Sequence, residues 1–148
     1  KLTENMVGSL SYHVAAINSL EDSDVRVSER IYLSSKKLRG FKRGKIGPKD
    51  NNDFIGGNYA TALSLSSTLP TFLPQLDNID FGVFIDAANL WGVDYNSDLD
   101  ESKLRSSTGF ALDWLTPVGP LSFVIAQPLS KSSTDIEETF RFDLGTTF

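Results

Sequence analysis

Glu138-Thr139-Phe140-Arg141-Phe142-Asp143-Leu144-Gly145-Thr146-Thr147-Phe148 closes the chain, and its alternation decides the fold. Period-2 geometry puts Phe140, Phe142 and Leu144 on one face, with Thr146 and Phe148 following, and Arg141, Asp143 and Gly145 on the other. A strand apolar on one side, polar on the other and closed by an aromatic suits the last strand of a transmembrane β-barrel. There, lipid lies outside and a wet lumen inside.

Upstream, the same alternation gives five more strands, and helical periodicity is poor throughout. The first runs from Met6 to Ala16, with Leu10, Tyr12 and Val14 opposed to Ser9, Ser11 and His13. The second, Asn58 to Leu69, sets Thr61, Leu63 and Leu65 against small residues from Ala60 to Ser66. The third is the clearest: Ile79, Phe81, Val83, Ile85 and Ala87 alternate with Asp80, Gly82, Phe84, Asp86 and Ala88, and Trp91 closes the apolar face. Two carboxylates in mid-strand are costly in a dry core and cheap beside a hydrated lumen. The fourth spans Leu104 to Leu115, with Phe110, Leu112 and Trp114 outward and Arg105, Ser107, Gly109, Ala111 and Asp113 inward; the fifth is Leu121 to Leu129. Trp91 and Trp114 fall at opposite strand ends, where interfacial aromatics of a barrel belong.

The connections alternate in length. About 36 residues (Leu20 to Ile55) join the first two strands, and polar loops follow the third strand (Asp94 to Lys103) and the fifth (Ser130 to Glu138). The others are short: Leu69 to Asn78 with Pro70 and Pro74, and Pro117-Val118-Gly119-Pro120, whose prolines are expected to end the ladder. Long loops at one end and tight turns at the other fit an outer-membrane barrel with extracellular loops and periplasmic turns. The expected architecture is therefore all-β: an antiparallel up-and-down transmembrane β-barrel portion without a second domain.

Composition narrows the function classes. The chain has 148 residues, a net charge of −5, no Cys and 10 Phe, with mean hydropathy −0.16 and pI near 4.8. No stretch approaches the roughly 18–20 apolar residues of a spanning helix, so a bilayer crossing must use strands. The acidic balance argues against a nucleic-acid partner, and Lys36, Lys37, Arg39, Lys42, Arg43, Lys45 and Lys49 read as a solvated loop. Lys1 begins neither a signal peptide nor an initiator sequence, so an excised portion lacking N-terminal sequence is expected. Catalysis finds little support: His13 is the only His, thiol chemistry is excluded, and no Gly-x-Ser-x-Gly occurs. Asp80, Asp86, Asp113 and Asp143 are read as charged lumen wall rather than an acid/base pair. No spaced metal-ligand set is present and no cofactor is expected. Gly56-Gly57-Asn58 lacks the Lys-Ser/Thr of a phosphate loop and reads as a strand entry.

Several segments in fixed order resemble a known family: Leu38-Arg39-Gly40-Phe41, Ile46-Gly47-Pro48, Gly56-Gly57-Asn58, Phe84-Ile85-Asp86, Leu115 to Leu121, Ala126-Gln127-Pro128 and the terminal Phe140 to Phe148. From Arg30 onward the chain is similar to the C-terminal barrel region of the BamA-type outer-membrane protein assembly factors, the bacterial surface antigen family. The resemblance implies the last six strands of a barrel of about sixteen, in a bacterial outer membrane, with a long loop at about 20–55 that folds back into the lumen. It implies unfolded outer-membrane protein clients, outer-membrane lipid and accessory assembly lipoproteins as partners. Phe140, Phe142, Leu144, Gly145 and Phe148 would then belong to a weakly paired seam strand onto which a client strand adds.

Within that frame the Arg39 guanidinium needs acceptors in the lumen. Asp86 faces inward from a central strand and is the expected bidentate partner, with Asp80 and Asp113 as further candidates. Where the family often adds a second acidic residue, the matching position is Ser66, which can accept one hydrogen bond. The plain alternative is a turn carrying a surface arginine. A secretion pore of the same superfamily would share the Arg39 loop, and a soluble β-sandwich binding module would use the same six strands in two sheets.

Overall fold

The structure, a computed structural model, describes residues 6–20, 23–70 and 78–145. Six long strands form one antiparallel meander: β1 (Gly8–Ala16), β4 (Tyr59–Thr68), β5 (Ile79–Trp91), β6 (Arg105–Thr116), β7 (Gly119–Ser130) and β8 (Phe140–Leu144). β2 (Lys49–Asp50) and β3 (Asp53–Phe54) form a small separate hairpin inside the long β1–β4 connection. Among the described residues no helix is long and apolar enough to cross a membrane. The two packed sheets of a soluble sandwich are not what forms, because all six long strands join in a single sheet.

Register turns the alternation into continuous rows across the sheet. Val83, Phe110, Ile125 and Phe140 are successive partners, as are Phe81, Leu112, Phe123 and Phe142. These rows lie on one face, where Leu10, Tyr12, Leu65, Ile85, Phe110, Ile125 and Phe140 are all exposed. A one-residue slip of any strand would carry its apolar set to the other face. Trp91 and Trp114 point outward at opposite ends: Trp91 ends β5, whereas Trp114 pairs with Ile79 at its start. Thirteen residues of β5 rising about 3.3 Å each, tilted by about 40°, span about 30 Å, close to the hydrocarbon thickness of a bilayer.

The other face carries the core, because the β1–β4 connection lies on it. Leu33, Leu38, Phe41 and Ile46 of the connection pack against Ala60 and Ala62 of β4 and Ala88 and Leu90 of β5. The small strand side chains leave room for the large loop ones, which explains why this face reads as small and polar in sequence. Lower on the same face Phe84 packs with Val124 and Ala126. A Cβ on Gly109 would lie 2.1 Å from the Ile125 carbonyl oxygen and 2.8 Å from Phe84 Cζ. The strands and the Phe84 ring therefore meet directly over a glycine.

Some boundaries differ from the sequence reading. β7 starts at Gly119, so Pro120 stands inside the ladder opposite Leu115 instead of ending it. The Gly145 N–H donates to the Pro120 carbonyl at 2.8 Å, so the ring nitrogen of Pro120, which carries no hydrogen, and its C=O both face the β8 side. There the missing donor leaves the bond to β6 untouched. Pro74, Thr146 and Phe148 lie outside the described residues.

Candidate functional site

A single rung of the inner face assembles the site. Ser64 on β4 pairs with Asp86 on β5, which pairs with Ser107 on β6. On the next rung, Phe84 pairs with Gly109, which pairs with Ala126. The segment Leu38-Arg39-Gly40-Phe41 descends onto these two rungs.

Arg39 forks onto Asp86. Its Nε donates to Oδ2 and its Nη2 to Oδ1, both at 2.7 Å, and its backbone N–H donates to Oδ2 at 3.0 Å. Nη2 also donates to Ser64 Oγ at 2.9 Å, while the Ser64 hydroxyl donates to Asp86 Oδ1 at 2.6 Å. The guanidinium lies over the Phe84 ring, with Cζ 3.6 Å from the ring centroid. The Ser107 hydroxyl donates to the Arg39 carbonyl oxygen. Asp86 is wholly buried, so its charge is tolerable only because two parallel charge-assisted bonds, a backbone N–H and a hydroxyl surround it.

The flanking residues hold the fork in place. Leu38 and Phe41 are buried in the loop-side core, each contributing about 1.5–3 kcal/mol of apolar burial. Gly40 has φ +90°, and a Cβ there would meet Ala126 Cβ at 3.1 Å and Ser107 Cβ at 3.3 Å. A glycine is thus required both for the backbone and for the approach to β6 and β7.

The structure brings Arg39 and Asp86 together and corrects the remaining partners. Ser66 sits one rung away, opposite Phe84; the hydroxyl beside the pair is Ser64, because two residues along β4 restore the same face at a different height. Asp80 and Asp113 pair with each other near the far end of β5. Six residues from Asp86, about 20 Å along the strand, they are beyond the fork, and Asp113 instead accepts from the Ser122 hydroxyl at 2.6 Å. Asp113 does share with Arg39 a cavity of about 300 Å³ whose wall also includes Arg141 and Asp143 of β8. Phe140, Phe142 and Leu144 project on the opposite, exposed face, and Gly145 follows with φ +72°.

Two further arginine–aspartate pairs that join distant segments, beside the local Arg141–Asp143 contact on β8, were not singled out from sequence as partners. Arg30, buried beneath the Tyr95 ring, pairs with Asp94, which also accepts from Val25 N–H at 2.8 Å and Asn58 Nδ2 at 3.1 Å. Arg105, 0% exposed, donates from Nε to Asp135 Oδ2 at 2.7 Å and from Nη1 to the Lys103 carbonyl at 2.9 Å. A buried position in the inward-facing set of β6 was the signal available for Arg105; its acid comes from a loop, where alternation carries no information.

The whole chain, residues 1–148, matches the Omp85 superfamily domain. The chain belongs to the Omp85 superfamily. It is 30% identical over 98% of its length to an outer membrane protein assembly factor BamA of Neorickettsia risticii, and 32% identical over 95% of its length to a SAM50-like protein of Schizosaccharomyces pombe. It covers 20% and 31% of those relatives, so it spans less than a third of either. The crystal structure of BamA from Haemophilus ducreyi lacking POTRA domains 1–3 superposes on 93% of this chain and 31% of that one, with TM-score 0.82 and 32% identity. The six-stranded sheet is thus an Omp85 barrel wall, and the apolar face is its outside.

In this Omp85 wall, Asp86→Asn leaves the Arg39 guanidinium without its counter-ion. Removing one partner of such a pair is expected to cost about 3–5 kcal/mol and to release the loop, read as faster tryptic cleavage at Lys42 and Arg43; unchanged cleavage would contradict a docking role for the pair.

Asp94 gives a pH signature. Burial raises its pKa, but the Val25 N–H, Asn58 and Arg30 together hold it below its ordinary value of 3.8. A lowered folded pKa means that its contribution is complete above the ordinary value and disappears as pH falls through the folded one. Protection of the Val25 amide, corrected for intrinsic exchange, should persist down to about pH 4 and fall below it. Loss of protection already near pH 6 would show that another group controls this contact.

Proposed function

We propose that this chain is part of a bacterial outer-membrane β-barrel that assembles and inserts other β-barrel proteins. The observation that carries the reading is the Arg39–Asp86 fork, which seats a long loop on the inner face of a wall whose outer face is apolar. A loop anchored there occupies the lumen and stiffens the wall. It sits beside β8, the short edge strand of the sheet.

Strand addition needs no covalent step and no cofactor. A β8 edge freed from its barrel neighbour offers unpaired N–H and C=O groups to a client strand, and burial of the client's apolar face in lipid drives the process. Phe140, Phe142 and Leu144 present one lip of this seam, while Trp91 and Trp114 mark the two lipid interfaces. The chemistry of the partners follows: unfolded outer-membrane proteins as clients, lipid around the wall, and accessory lipoproteins on the periplasmic side. The domain of residues 1–148, with its loop in the lumen, is the C-terminal part of that barrel. The similarity to BamA and to a SAM50-like protein supports this reading.

In cells relying on the intact protein, Asp86→Arg should lower the yield of folded client barrels about tenfold or more, since the fork becomes a like-charge contact. Full client assembly by Asp86→Arg would contradict the proposal.

A further inference from the structure

The chain entering β8 does not stay on β7. Above Ala126, whose N–H donates to the Thr139 carbonyl at 2.8 Å, residues 136–138 leave the sheet edge and pair with the long loop. Lys42 N–H donates to the Ile136 carbonyl at 2.9 Å, Ile136 N–H to the Lys45 carbonyl at 3.0 Å, and Glu138 N–H to the Gly40 carbonyl at 2.9 Å. Phe41 and Glu137 form an antiparallel bridge between these bonds.

β7 explains the departure. Alternation from Ala126 and Pro120 puts the even-numbered residues of β7 toward β8, so both prolines of the strand, Pro120 and Pro128, turn their missing donors to that side. Between them only Ser122, Val124 and Ala126 have an N–H to offer β8. At Pro128 β7 has no donor to offer the incoming chain, which pairs instead with Gly40 to Lys45 of the long loop.

A buried ion pair reinforces this junction. Arg105 on β6 holds Asp135, one residue before the loop-paired segment, and Asp135 also accepts from Ser132 N–H at 2.7 Å and Gly47 N–H at 3.4 Å. A single carboxylate thereby ties the wall, the last surface loop and the long loop together.

We propose that Arg105 and Asp135 are positioning residues that couple docking of the long loop to pairing of β8 along β7, so that the C-terminal strand loosens when the loop lifts. The coupling gains its meaning for client addition from the function proposed above, but it is a property of the fold and is tested without clients.

The test is amide hydrogen exchange on the intact protein in lipid vesicles. Asp135→Asn should speed exchange of Ile136, Glu138, Arg141 and Asp143, whose N–H groups face the long loop or β7, about tenfold, while β1, β4 and β5 keep their rates; a general loss of folding would accelerate all strands alike. Unchanged β8 exchange despite faster exchange at Lys42 would overturn the coupling. The second arm covers failure of that variant to fold. Phe41 and Glu137 form a non-hydrogen-bonded pair, close enough for a disulfide, and this chain has no cysteine of its own. In Phe41→Cys/Glu137→Cys, oxidation should slow β8 exchange relative to the reduced form of the same protein. Equal rates in the two forms would overturn the proposal, whether or not client assembly itself responds to Asp86→Arg.

Discussion

A carboxylate buried in the middle of a sheet must be matched by a cation, and Asp86 is matched by Arg39 from a loop 47 residues away in sequence. Everything on the inner face follows from this constraint. The loop must descend onto the wall, so the wall offers alanines and serines where the loop offers Leu38 and Phe41. Gly40 must be a glycine, because the backbone passes within contact of Ser107 and Ala126 while holding a positive φ. Phe84 supplies the floor, and Gly109, its partner on the same rung, admits the ring. The ion pair itself adds little net stability after desolvation; its effect is specificity, since only one docking of the loop satisfies Asp86.

The two faces of the wall answer to different solvents. Outward, the rows ending at Phe140 and Phe142 gain by leaving water for lipid, and among the described residues no protein layer covers them. Inward, the wall and the connections that lie on it are joined by three arginine–aspartate pairs, Arg30–Asp94, Arg39–Asp86 and Arg105–Asp135, while Arg141–Asp143 is local to β8. Each of those three joins elements distant in sequence. Together they convert long connections, costly in loop entropy, into a plug with one arrangement.

Legibility in sequence tracked the physics of alternation. The six strands, their facing and the outward aromatics could be read because period 2 with lipid on one side leaves an unmistakable record in Phe81, Val83, Phe110 and Phe142. Asp86 was legible for the same reason, as an acid on the inward parity of an apolar strand. Ser64 was not, because Ser64 and Ser66 share a face and only register selects the rung. The acid on Arg105 and the junction at residues 136–138 were also hidden, since loop backbone follows no period and its partners are set by tertiary contact. Pro120 misled because a proline inside a strand is tolerated when its missing donor faces a sparsely bonded neighbour, a condition visible only once β8 is placed.

The most direct test is a double-mutant cycle on the fork, with Arg39→Ala, Asp86→Ala and the double variant unfolded in urea from lipid vesicles. A docked, bidentate and buried pair predicts a coupling above about 1.5 kcal/mol, each single variant losing nearly as much as the double. Additive losses, with a coupling near zero, would mean that the loop is held by its apolar anchors alone and that Arg39 and Asp86 are not the constraint on which the inner face depends.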